Sequence, residues 1–268
     1  MIKKITTTII LILLSTFVFA QKTNQFDANG KRHGLWKKNF SNGNVRYTGT
    51  FEHGIEVGVF KFYAITGEEY PVVTKEFTAG SEFVLVKFFT KESGRLKSKG
   101  NMKNKLRSGL WTFYFPDGKT VILTEEYKEG VLHGEQKIYY NSGVLTKHSH
   151  YKNGKLEGNR KVYSKEGNVI ENLTFKAGKM HGPAIIYDAN GDIFAKGNYT
   201  EDKRTGTWEF MIDGQMVKTD NPYVIREKLE NTLPKPIPHD INTSPEKVHM
   251  NRRQDKTHRK YRFISLIL

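Results

Sequence analysis

Histidine, the commonest metal ligand and the side chain that titrates nearest neutral pH, stands one residue before a glycine at three places: His33-Gly34, His133-Gly134 and His181-Gly182. A further pair, His148-Ser149-His150, puts two imidazoles on one strand face, because residues two apart on a strand point the same way. A metal centre is the chemistry these residues suggest. Spacing weighs against a shared ion: each β-hairpin advances a sheet by about 10 Å, whereas zinc ligands all sit about 2 Å from one ion. The three histidine–glycine residues are therefore read as turn positions, and His148 and His150 as added positive surface with at most weak metal capture. No metal site and no cofactor is expected.

Other catalytic parts are missing from the sequence. Cysteine is absent and no serine sits in a G-x-S-x-G turn. Acids such as Glu157 and Glu166 are scattered, and equivalents one hairpin apart would be about 10 Å apart, outside the roughly 5–9.5 Å of glycosidase pairs. No glycine loop followed by Lys-Ser/Thr is present to hold phosphates. The chain is not expected to be an enzyme.

The elements that position these residues come from a repeat. Glycines recur at Gly34, Gly58, Gly109, Gly134, Gly158, Gly182 and Gly206, with Val84 standing in for the one missing from the series. A period near 24 marks an array of stacked units, each burying its apolar side on its neighbours. Glycine returns nine residues later, often after Asn or Asp, as in Asn42-Gly43 and Asn190-Gly191. Such dipeptides favour type I′ turns and therefore hairpins. Four residues before each alignment position comes a second turn, at Gly30, Gly54, Gly80, Gly130, Gly154 and Gly178, with Lys105 and Asp202 in that place in the other two units. The expected fold is all-β: an elongated, single-layer antiparallel meander of about eight hairpins.

Alternation sorts the side chains. Positions two and four after the glycine share a face, as with Phe60 and Phe62 or Trp111 and Phe113. Position five faces the other way and is usually aromatic, as at Tyr139, Tyr163 and Tyr187; a third column comprises Phe51, Phe77, Tyr127, Tyr151, Phe175 and Tyr199. The aromatic columns are read mainly as a thin core, with the tyrosine column the part best placed to meet a partner. Gln136 and Arg160 interrupt the first column. That stretch supplies the candidate binding residues: Tyr139, Tyr163, Tyr187, Arg160, Lys161, Lys137 and Lys147.

The strings Asp27-Ala-Asn-Gly30-Lys-Arg-His-Gly34-Leu-Trp36, Tyr127-Lys-Glu-Gly130-Val-Leu-His-Gly134 and Phe175-Lys-Ala-Gly178-Lys-Met-His-Gly182 resemble the MORN repeat. They are most similar to its bacterial variant, which includes antitoxin-like proteins of toxin–antitoxin systems. Val84 and Asn39 depart from the pattern. The resemblance implies an antiparallel sheet that binds proteins, contacts lipid or neutralises a toxin.

Outside residues 21–217 the character changes. Residues 1–20 read as a cleavable export signal: Lys3 and Lys4, an apolar stretch, then small residues ending at Ala20. A periplasmic or secreted bacterial protein is expected. Residues 218–233 read as a capping helix opened by Asn221-Pro222, and 234–268 as a basic, disordered tail. Formal charge is +15; the leading segment holds two lysines and no acid, so the remainder carries +13. Such a balance favours anionic partners: an acidic protein first, an anionic lipid or lipopolysaccharide surface next. Export disfavours nucleic acid, and an open sheet edge leaves a homodimer available.

Overall fold

Two-residue loops and recurring glycine bulges set the architecture. The computed structural model describes residues 22–212 and 214–220, and the chain divides into two units, Met1–Gly143 and Val144–Leu268. The first holds β1 (Gln25–Phe26), β2 (Arg32–Asn39), β3 (Val45–Glu52), β4 (Ile55–Phe62), β5 (Val73–Phe77), β6 (Val84–Phe89), β7 (Leu96–Lys103), β8 (Leu106–Tyr114), β9 (Val121–Lys128) and β10 (Val131–Tyr139). The second holds β11 (Leu145–Lys152), β12 (Lys155–Leu156), β13 (Gly158–Tyr163), β14 (Val169–Lys176), β15 (Lys179–Tyr187), β16 (Ile193–Thr200), β17 (Lys203–Ile212) and β18 (Gln215–Thr219). Within each unit the strands form an antiparallel meander, as predicted; β12 and β13 share β11 as partner across a break at Glu157. Every element among the described residues is a strand. Lys218 and Thr219 belong to β18 and Asp220 is a bend, while residues 221–233 of the expected helix, the export signal and the tail lie outside the described residues.

The two turn types are exchanged relative to expectation. At the Asn-Gly end, Phe40 N–H donates to Asn44 O at 2.8 Å and Gly43 N–H to Phe40 O at 3.1 Å. Only Gly43, at φ 86°, is left-handed, so this is a type I turn closed by a glycine bulge. At the other end a two-residue loop separates paired residues, as in Glu52↔Ile55 around His53 and Gly54. A loop that short favours type I′ or II′ geometry, and His53 and Gly54, at φ 48° and 89°, select type I′. Several such turns are stapled to the preceding hairpin: Gly54 N–H donates to Arg32 O, Gly130 N–H to Arg107 O and Gly178 N–H to Leu156 O, each at 2.8 Å.

The alignment glycine is a bulge residue inside a strand. Gly109, at φ 67°, pairs with Tyr127 on one side, while on the other the register slips between Gly100/Trp111 and Asn101/Ser108. The same slip recurs in β3–β4, β9–β10, β14–β15 and β16–β17. Where Val84 replaces the glycine, β5 and β6 pair without any slip. A β-branched side chain in the left-handed region is a severe outlier, so without glycine the ladder stays regular. His33, His133 and His181 consequently lie within β2, β10 and β15 beside this bulge, not in turns.

The first and third aromatic columns form the core on one face. Phe60, Trp111, Trp208 and Phe210 are essentially inaccessible. Rings of the third column meet them edge-on: Phe51 lies 5.1 Å and Phe77 5.4 Å from Phe60, and Tyr199 5.1 Å from Trp208. Depth comes from a second set of glycines with ordinary backbone angles. A Cβ added at Gly49, Gly100 or Gly197 would come within 2.3, 2.5 and 2.2 Å of Phe60, Trp111 and Trp208 respectively. The rings lie flat on bare backbone, which is how one layer of sheet buries a tryptophan. Where the ring is replaced the glycine goes too: Gln136 donates to Glu125 at 2.9 Å, and Ala184 pairs with Leu173.

Candidate functional site

On the ring-bearing face the cations are already engaged. Each tryptophan follows an arginine by four residues, and that arginine stacks on it: Arg32 over Trp36 at 5.1 Å, Arg107 over Trp111 at 4.6 Å, Arg204 over Trp208 at 4.9 Å. Arg107 also donates to the Tyr127 hydroxyl at 2.9 Å, which donates to Glu125 at 2.6 Å. Burial, then the hydrogen bond to Glu125, pushes the Tyr127 hydroxyl above its usual pKa. Arg160 donates to Glu171 at 2.6 Å and stacks on Phe175 at 4.7 Å. These arginines shield the core, and the R-x-G-x-W signal for them lay in the sequence unused.

The opposite face of the first unit is built differently. Following the pairing across β2 to β10, Lys37 faces Thr48, Thr48 faces Lys61, Lys61 faces Thr74, and Thr74 faces Lys87. The row continues through Lys99, Thr112, Thr124 and Lys137. One residue per strand, it contains lysine and threonine and no acid. Lys37, Lys61 and Lys99 are exposed and make no ion pair among the described residues. Lys87 has only a 3.9 Å contact with Glu76, while Lys137 is bonded to Glu135, which raises its pKa, with Tyr139 adding to the rise. Two residues along the strands on one side run half-buried rings, Tyr63, Phe89, Tyr114 and Tyr139. On the other side run Leu35, Val59, Leu85 and Leu110, alternating with Thr50, Glu76, Asn101 and Glu126; Val59 is 47% and Leu110 57% exposed. Cations flanked by rings and aliphatic groups make a surface that can hold an anionic, partly apolar ligand.

The sequence candidates distribute over these faces. Tyr139 and Lys137 lie on the lysine-bearing face of the first unit. In the second unit Lys161, Tyr163 and Tyr187 share one face, while Arg160 and Lys147, opposite Val162, lie on the other. Arg160 and Lys161 thus point apart and form no common patch. The second unit's corresponding row includes Ile185, and its Lys196 and Lys218 both bind Glu209, at 3.0 and 3.3 Å. One carboxylate thus engages two of its lysines. The lysines three after the alignment glycine were legible as a column; the intervening threonines became visible only with the strand register.

The histidines have local roles. His53 Nδ1 lies 2.6 Å from Asp27 Oδ2, and the His33 and His53 rings are 5.0 Å apart. That bond, with the backbone N–H groups of Lys31 and Asn29, holds the Asp27 carboxyl below its ordinary pKa. His148 and His150 lie 4.8 Å apart ring to ring, and His181 Nδ1 lies 3.8 Å from Glu201.

With this geometry in view, comparison with known proteins gives one family. Residues 32–53, 132–153 and 180–201 match the family described as MORN repeat variant. No curated protein matches the chain. All three matches begin two residues before the alignment glycine, at Arg32, Leu132 and Met180, so they share the phase read from the sequence and contain the three histidine–glycine units. Bulge, turn and ring columns recur in this phase, and three of the chain's repeat units match the MORN repeat variant.

Proposed function

We propose that this protein is an exported, non-catalytic scaffold that captures an acidic partner protein on the lysine-bearing face of its first unit. MORN repeats are commonly protein- or lipid-binding modules and are generally non-enzymatic. The observation that carries the reading is the acid-free lysine–threonine row across β2 to β10. Its rings and aliphatic neighbours supply the apolar contact that a protein ligand, unlike a simple counterion, would use. An immunity role is a special case in which the captured protein is a toxin acting outside the cytoplasm.

The test uses tagged residues 21–268 to capture ligands from envelope and culture-medium fractions at low and high salt, with mass spectrometry of what remains bound. One stoichiometric protein retained at high salt, and lost on Lys61→Glu with Lys99→Glu, is the expected result. Recovery of lipid or lipopolysaccharide alone, released by salt, would replace this reading with an envelope-surface one.

A further inference from the structure

The spacing of the row defines the conformation of what it binds. Lys37, Lys61 and Lys87 stand on β2, β4 and β6, separated each time by one threonine-bearing strand. Strands lie about 4.7–4.9 Å apart, so the backbone positions of these lysines repeat at about 9.4–9.8 Å along a line crossing the strands. A ligand lying along that line runs perpendicular to the strands. It cannot extend the sheet by backbone pairing and must be read through its side chains.

Peptide conformations differ in how their same-face side chains repeat. A β-strand repeats every second residue, at about 6.4–6.8 Å, and falls out of step with the row after one lysine. An α-helix repeats at about 6 Å for four residues or about 10.5 Å for seven; the longer repeat gains about 1 Å per step. Polyproline II has three residues per turn and a rise of about 3.1 Å, so every third side chain returns to the same face at about 9.3 Å. Over three lysines this mismatch stays near 1 Å, within the reach of a flexible lysine stem. The aromatic row beside the lysines suits the same occupant, because polyproline helices dock on aromatic surfaces.

Resting on the scaffold reading above, we propose that the Lys37–Lys61–Lys87 track binds a polyproline II segment carrying an acidic residue at every third position. Its carboxylates meet the lysines, and its prolines lie over Phe89 and the neighbouring tyrosines. Lys99, on the strand next to Lys87, reinforces that end. Preformed polyproline II structure lowers the ordering cost of such a ligand.

The probe is fluorescent (Glu-Pro-Pro)5, titrated by anisotropy against residues 21–268 at low salt. An isomer of identical composition with its five glutamates in one block is the charge-matched control. The regular peptide is expected to bind at least tenfold more tightly than the block isomer. Lys61→Glu, at the centre of the track, should weaken it at least tenfold, and Lys161→Glu in the second unit less than twofold. All these sites carry solvent-reaching lysines, and a circular dichroism melt checks that each variant remains folded. Equal binding of the two isomers, or no loss with Lys61→Glu, overturns the inference. So does tighter binding of a fifteen-nucleotide oligothymidine, which would assign the track to polyanions without regard to spacing. If the peptides fail while a stoichiometric partner is still captured at high salt, the conformational inference falls and the scaffold reading stands.

Discussion

A ring and the glycine beneath it act as one residue-scale unit. A Cβ at position 100 would fall 2.5–2.6 Å from ring atoms of Trp111, and Trp111 has no free surface into which to retreat. Gly100→Ala is therefore expected to destabilise the protein by about 1–3 kcal/mol through overpacking. The readout is the urea midpoint, and an unchanged midpoint would show that the ring does not depend on bare backbone. Replacing Trp111 by leucine in the alanine background should return part of the loss, since a narrower side chain leaves room for the methyl. The alignment glycines were legible in the sequence because they recur in fixed phase. Gly49, Gly100 and Gly197 were not, because their presence follows the side chain eleven residues later and so breaks the period. Arg160 shows the same limit. Its residue type suggested surface charge, and only packing against Phe175 and Glu171 showed that its charge is already engaged.

At the scale of elements, the repeat is a hairpin with a built-in irregularity, and its glycine sets that irregularity. In the hairpin of β7 and β8, Gly109 holds φ 67° at the register slip, while Val84 occupies an unbroken ladder opposite Phe77. Gly109→Val is expected to cost about 1–3 kcal/mol, because valine pays for the left-handed conformation whatever space surrounds it. A Val84→Gly change should also destabilise, by about 0.5–1 kcal/mol, since a regular strand gains nothing from glycine. Denaturant midpoints of the two variants decide the matter; a neutral Gly109→Val would mean that the slip is imposed by neighbouring hairpins. The hairpins themselves were readable from the period and from glycine spacing. Their turn types were not, because dipeptide preference ignores loop length. The closing pair Glu52↔Ile55 leaves room for only two residues, whereas Phe40 and Asn44 enclose three, and that difference assigns the type I′ geometry to the end lacking the Asn-Gly signature.

The whole molecule must end its sheet somewhere, and the described N-terminal edge is visibly protected. Strand β1 is only two residues long, and the segment around it is fastened to β2 at several points. Trp36 Nε1 donates to Gln25 O at 3.1 Å, Lys37 N–H donates to Asn24 Oδ1 at 2.8 Å, and Phe26 meets Trp36 edge-on at 5.1 Å. A very short edge strand presents little unpaired backbone to another chain. Removing it would expose the eight-residue β2, with Trp36 uncovered and the first three lysines of the track nearby. A chain starting at Asp27 is therefore expected to self-associate at micromolar concentration, while one starting at Gln21 stays monomeric at the same concentration, as read by sedimentation velocity. The net positive charge opposes this association, so it should strengthen as salt screens the lysines. The acidic-peptide track predicts the reverse salt response, because screening weakens attraction between lysine and carboxylate. Measuring both constants across one salt series separates edge pairing, driven by backbone hydrogen bonds and apolar contact, from capture on the lysine face. Equal monomer content in the two chains at every salt concentration would show that β1 does not guard the edge.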